Sequence, residues 1–166
     1  MDQSRKGISA VVDTNVVAYY LLGTIPFAKE AGRFWRVAGQ VSAPAIWQAE
    51  LANVLWRAVC KGVLADDEAL SRLDLATRLG IGSVSSDTLW QGALVRAIHS
   101  GIAVYDTLFV ELAFREGVPL ITFDAHLCRT FPDIAKRPRE LIPACTGKPF
   151  SLLHQFQSRA PRAAQS

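Results

Sequence analysis

Apolar and polar positions along the chain alternate between two rhythms. ISAVVD (residues 8–13) is a short, nearly unbroken apolar run, as a strand buried on both faces reads. Behind it TNVVAYYLL (14–22) has helical length and stops at Gly23, a residue suited to the left-handed turn that ends a helix. Pro26 can open the next helix, PFAKEAGRFWRVAG (26–39). VSAP (41–44) predicts a short strand or turn. AIWQAELANVLWRAVCKG (45–62) predicts a helix ended by Gly62, and DDEALSRLDLATRLG (66–80) a helix capped by Asp66. SVSS (83–86) is a weak strand signal. Helices follow over 87–101, with Asp87 as its cap, and over 104–117; each ends at a glycine. VPLITFD (118–124) is the second clear buried strand, and one more short strand falls around 131–136. Strands alternating with helices predict an α/β domain with a parallel sheet. The three DT dipeptides at 13–14, 87–88 and 106–107 share no fixed period, so they are no repeat.

Composition narrows this picture. Half of the 166 residues are hydrophobic, ample for one core, and the length suits one domain. No apolar run approaches the ~20 residues that span a bilayer. Asp13 interrupts the only apolar stretch near the start, so no export signal is expected and the cytoplasm is the default location. Cys60, Cys128 and Cys145 are scattered, which suggests neither a zinc knuckle nor a disulfide framework; each reads as a small, buried or partly buried apolar residue. Charge is uneven. Residues 1–128 carry 11 Lys and Arg against 13 Asp and Glu, whereas residues 129–166 carry 7 against 2. An acidic body with a basic end suits a polyanionic partner, or simply a solvated tail. Residues 157–166 read as a disordered end, and 138–156 are ambiguous.

Four carboxylates stand where a core should be. Asp13 ends the first strand and Asp124 ends LITFD; ligands of open α/β sheets bind outside such strand ends. Glu50 shares a helical stripe with Ile46, Leu51 and Val54. Asp106 lies in the first turn of a helix, with Phe109, Val110 and Ala113 on its side. Each has a plainer reading: Asp13 and Asp106 as helix-start residues, Asp124 as a turn former, Glu50 as a buried acid paired with an arginine. Together they would need four separate excuses. Two like charges ~4 Å apart repel by roughly 4 kcal/mol at an effective dielectric of 20, so such a cluster takes up protons or binds cations. Oxygen donors without a His/Cys cluster favour Mg²⁺ or Mn²⁺.

VVDTNV (11–16), AELANVLWR (49–57), AVYDTLFVELA (103–113) and LITFDAHL (120–127) resemble, in order, the motifs of PIN-domain ribonucleases, and most closely the VapC-type toxins of toxin–antitoxin pairs. The resemblance spans residues 8–136. It implies a three-layer α/β/α fold with a mostly parallel sheet of about 4–5 strands, and a catalytic domain over 1–137 followed by a basic extension over 138–166. It implies that Asp13, Glu50, Asp106 and Asp124 hold one or two divalent ions, with Asn15 and Thr122 as polar helpers beside them. A divalent ion lowers the pKa of water enough for it to attack a phosphodiester, so RNA would be cut to 5′-phosphate and 3′-OH ends. Partners implied are RNA, with transfer RNA as the family-level target, a cognate antitoxin and a second copy of the chain. The extension departs from the family; Lys136, Arg137, Arg139, Lys148, Arg159 and Arg162 could hold an RNA backbone, or FSLLHQF (150–156) could meet the domain or a partner.

Other residues are quieter. Trp47 and Trp56 read as core or interface residues, and Tyr19 to Leu22 as core or as a docking face. His126 could touch a phosphate or be an idle loop residue; His99 and His154 form no constellation. Two other functions compete. A haloacid-dehalogenase-like phosphatase needs a second Asp two residues after the nucleophile, where this chain has Asn15. A non-catalytic PIN module serving as a scaffold gains nothing from clustered acids.

Overall fold

The computed structural model describes residues 7–142. Five strands, β1 (Ile8–Val12), β2 (Ala38–Pro44), β3 (Gly82–Val84), β4 (Leu120–Ile121) and β5 (Ala135–Lys136), form one sheet in the order β3-β2-β1-β4-β5. Every pairing is parallel, so the expected α/β class is observed with a fully parallel sheet. β1 is central: Val11 lies opposite Ser42 on one side and Leu120 on the other. Its residues Ala10, Val11 and Val12 are buried, as strands covered on both faces must be.

The chain runs outward from β1 through β2 to β3, then returns past both to lay β4 on the other side of β1. The strand order therefore reverses between β1 and β4, and the crevice of an open α/β sheet forms at such a point. Right-handed crossovers put α1 (Thr14–Leu22), α2 (Phe27–Val37), α3 (Ile46–Cys60) and α4 (Asp66–Thr77) on one face. They put α5 (Trp90–Ser100) and α6 (Val104–Glu116) on the other. In agreement, α1 packs on α2, α3 and α4, whereas α6 packs on α5 and against β1, β2 and β4. Phe34, Leu51, Phe109, Leu120 and Ile121 fill the core between the layers.

Several expectations shift on folding. β2 begins at Ala38, directly after α2, where Gly39 and Gly7 approach so closely that a Cβ on Gly7 would lie 2.5 Å from the Gly39 Cα. Asp66 does not cap α4. Ala65 holds that position, and Glu68 reaches back to accept from its N–H at 2.9 Å. Asp87 caps no helix either: Ser86–Thr88 is a 3-10 turn, and α5 starts only at Trp90. β4 is shorter than 118–124: Thr122 N still donates to the Lys136 carbonyl at 3.0 Å, but beyond it side chains take the backbone donors. Phe123 N donates to Asn15 Oδ1 and Asp124 N to Thr122 Oγ1. Asp124 instead caps a short helix, α7 (Ala125–Thr130), that periodicity did not reveal. Trp47 is buried, but Trp56 and Cys60 are exposed, so neither joins the core. Residues 138–142 include α8 (Pro138–Leu141), which packs on α2. The expectations for Cys145, Lys148, His154, Arg159, Arg162 and 150–156 lie outside the described residues. No single helix among the described residues is long and apolar enough to cross a membrane.

Candidate metal centre

β1 delivers Asp13 to the sheet edge and α1 begins at once, so Asp13 is both the end of a strand and a helix cap. Its backbone is extended (φ −74°, ψ 146°), and its carboxylate accepts from the Asn15 N–H at 3.4 Å. The capping explanation thus holds without excluding a second use. On the neighbouring strand, fully buried Thr122 donates its hydroxyl to Asp13 Oδ2 at 2.6 Å. Asn15 Nδ2 donates to the same oxygen at 2.6 Å and to Thr122 Oγ1 at 3.2 Å. Asn15 Oδ1 then accepts from the Phe123 N–H at 3.1 Å. This small lattice ties the start of α1 to the segment after β4 and holds the Asp13 carboxylate from two sides.

The remaining acids arrive from three further elements. Glu50, on the first half of α3, accepts from the buried Thr14 hydroxyl at 2.5 Å. Asp106 lies in the first turn of α6. Asp124 follows the sheet edge beside Asp13, and its Oδ1 accepts from the N–H groups of His126 at 2.6 Å and Leu127 at 3.1 Å. His126 itself is exposed. Thr14 was not singled out from the sequence. Its place directly behind Asp13, on a helix facing α3, is the signal that could have found it.

Electrostatics show that the four acids sense one another. Burial pushes the Asp13 carboxyl up from 3.8 to about 7, against the pull of its bonds to Thr122 and Asn15, and the charges of Glu50 and Asp106 add to the rise. Burial raises Glu50 as well, with Asp106 adding to it and the Thr14 bond opposing. Burial raises Asp106, with Asp124 adding to it. Among the described residues, no lysine or arginine is among the groups that pull these three back down. Arg96 and Arg115 spend their charge on Glu111, and Arg137 spends its own on Glu30.

An oxygen-only set short of positive charge fits a hard divalent cation. As the side chains stand, no group of three or more His, Cys, Asp or Glu among the described residues is arranged to grip an ion. Three of the four carboxylates are turned toward protein donors: Asp13 to Asn15 and Thr122, Glu50 to Thr14, Asp124 to the α7 amides.

Comparison with known proteins agrees with this architecture. Ribonuclease VapC3 of Pyrobaculum aerophilum is 33% identical over 87 residues, which cover 50% of this chain and 65% of that protein. The chain thus spans somewhat less than two thirds of that relative. Among solved structures, PAE2754 from Pyrobaculum aerophilum superposes with a TM-score of 0.63 at 18% identity, covering 81% of this chain and 87% of the other. A toxin-antitoxin complex from Klebsiella pneumoniae superposes with a TM-score of 0.57 at 17% identity, covering 78% and 97%. At those identities the likeness concerns the fold. The model of the PIN domain matches residues 10–131, most of the chain and every element from β1 to α7 that carries one of the four acids, and the chain belongs to that family.

Proposed function

We propose that this protein is a divalent-metal-dependent endoribonuclease that acts as the toxin of a toxin–antitoxin pair. The observation that carries the reading is the repulsion that links Asp13 to Glu50 and Asp106, and Asp106 to Asp124, with no lysine or arginine among the described residues opposing it, in a PIN-domain sheet whose strand order reverses beside Asp13. Asp13, Glu50, Asp106 and Asp124 would hold one or two Mg²⁺ or Mn²⁺ ions. When bound, such an ion lowers the pKa of water and offsets charge on the phosphodiester. The chain's own part is orientation. Asn15 and Thr122 hold Asp13, and Thr14 holds Glu50. Attack by water, rather than by the neighbouring 2′-OH, leaves a 5′-phosphate and a 3′-OH.

The similarity to a named ribonuclease VapC supports RNA as substrate, with transfer RNA the first class to try, and the fold shared with a toxin-antitoxin complex supports an antitoxin partner. A homodimer, a cytoplasmic location and a catalytic domain over 1–137 with a basic extension over 138–166 belong to the same proposal. Arg137 and Lys136 play a smaller part in backbone binding than their charge suggests. Arg137 is paired with Glu30, and Lys136 donates to the Pro132 carbonyl.

The test is cleavage of total cellular RNA by the purified full chain with Mn²⁺ or Mg²⁺, against EDTA, beside Asp106→Asn, with the cut ends mapped. Metal-dependent cuts bearing 5′-phosphates and lost in the variant are expected. Ends carrying 2′,3′-cyclic phosphates would overturn the mechanism, and no cleavage by a folded, antitoxin-free sample would move the protein to the scaffold reading.

A further inference from the structure

The stretch Thr122–Asp124 carries much of the acid site but has little sheet behind it. β4 and β5 are two residues each, and past Ile121 the sheet supplies one more bond, from Thr122 N to the Lys136 carbonyl. Yet Thr122 donates to Asp13, Phe123 N donates to Asn15, and Asp124 comes next. The position of these residues therefore depends on what else holds Phe123.

Its holder is the residue after Lys136. The Arg137 guanidinium lies over the rings of Phe123, at 5.2 Å, and Phe27, at 5.5 Å. Phe123 also meets Phe27 at 5.0 Å and Tyr19 at 5.5 Å, while Tyr19 and Phe27 stack at 4.8 Å, so the rings cover one another. Arg137 is gripped in turn from α2. Glu30 accepts from its Nε at 3.2 Å and an Nη at 3.3 Å, and from the Arg139 N–H at 3.1 Å. A lone exposed ion pair contributes little, but a planar guanidinium held by a fork of bonds and laid on two rings keeps one geometry. The contacts run from Glu30 through Arg137, Phe123 and Asn15 to Asp13 without a gap.

We infer that Glu30 and Arg137 form a clasp that positions the acid site: by pinning Phe123 they keep Asn15 and Thr122 where Asp13 accepts from both, and so set how tightly the acids hold a divalent cation. The inference rests on the proposed metal centre and deepens it. Glu30 and Arg137 are positioning residues, acting through Phe123 rather than on the ion. Partners that orient metal ligands directly change affinity about 10–100-fold. The clasp stands one contact further out, so its loss is expected to cost about fivefold.

The experiment uses the full chain without RNA. Mn²⁺ is titrated by the paramagnetic resonance of the free ion, and amide hydrogen exchange is followed separately in EDTA. Arg137→Gln and Glu30→Gln should each weaken Mn²⁺ binding about fivefold. Each should speed exchange at the Phe123 N–H, which Asn15 holds, and leave the Val11 N–H, which bonds to the Pro119 carbonyl in the sheet, unchanged. Phe123→Leu removes the link, so Arg137→Gln added to it should weaken Mn²⁺ binding no further. If Arg137→Gln does not fold, Arg137→Lys, which keeps the charge and loses the planar fork, takes its place with the same expectation. Wild-type Mn²⁺ affinity in the folded variants overturns the clasp alone. So do losses from Arg137→Gln and Phe123→Leu that multiply, or equal acceleration at Val11 and Phe123, which would mark general loosening. A wild type that binds no Mn²⁺ overturns the metal centre and the clasp together.

Discussion

The molecule contains two acidic sites with opposite solutions to the same problem. At the sheet edge, Asp13, Glu50 and Asp106 are raised by burial and by one another, and their protein partners are neutral donors. On the α5–α6 face, buried Glu111 is met by Arg96 at 2.7 Å and Arg115 at 2.6 Å, and these partners outweigh burial and draw its carboxyl below the usual range. Gly92 makes room for it: a Cβ there would lie 2.1 Å from Glu111 Oε1. Burial acts in the same direction at both places, so the partners decide the sign. Glu111 welds two helices together and is satisfied. The sheet-edge acids remain short of positive charge, which is the condition for binding an ion.

Substitutions can break this contrast, beginning with the largest expected effect. Glu111→Ala leaves two partly exposed arginines without their shared partner and should cost about 1–3 kcal/mol, read as a lower urea midpoint. Glu111 as the less important of the two sites for stability would be the lesson if the loss were under about 1 kcal/mol. Asp106→Asn should do the reverse: stability held or improved, since one repelling charge is gone, and RNA cleavage reduced by roughly a hundredfold or more.

The pH dependence separates the sites further. The folded-state pKa of Asp13 is raised, so the folded, metal-free protein binds that proton more tightly than the unfolded chain. Its contribution is fully present below about 3.8 and is lost as the pH rises to about 7, by roughly 2–4 kcal/mol. Glu111, with a lowered pKa, contributes above its ordinary value of 4.5 and loses that contribution as the pH falls through its depressed folded-state value. Denaturation in EDTA across this range should therefore show a decline toward neutrality in wild type that Asp13→Asn reduces, the remainder coming from Glu50 and Asp106, which are raised as well. Mg²⁺ should raise the midpoint of wild type more at pH 7.5 than at pH 5, since an ion competes with protons for the same oxygens; equal shifts at both pH values would count against an acid-held ion. The smallest effect is expected at Asn15→Ala, which frees one side of Asp13 and should lower cleavage about 10–100-fold with little change in stability.

Much of the framework could be read along the chain. Apolar runs ending in Asp13 and near Asp124 announced the two central strands, and glycines at 23, 101 and 117 marked helix ends that the structure places in the left-handed region. Boundaries that depended on side-chain competition were less legible. Nothing local tells that Phe123 N will turn to Asn15, 108 positions away, just past the last sheet bond from Thr122 N to the Lys136 carbonyl. Asp66 and Asp87 were plausible caps by type, but Glu68 reached back across the start of α4 and a 3-10 turn displaced the start of α5. Trp56 read as core or interface; it is exposed and so not core, because α3 shows the packed layer a face that carries Leu51, Leu55 and Ala58 instead.

The sequence by itself determined the alternation of strands and helices, the positions of the four acids within their elements, and the charge imbalance along the chain. These are local properties, written in periodicity and residue type. Tertiary structure alone decided that Asp13, Glu50 and Asp106 are buried and feel neighbouring carboxylates, that Thr14 and Thr122 hold Glu50 and Asp13, and that Glu111 is neutralised while Asp13 is not. Those outcomes depend on which distant segments meet, and the energy of a buried charge is set by its neighbours in space rather than along the chain.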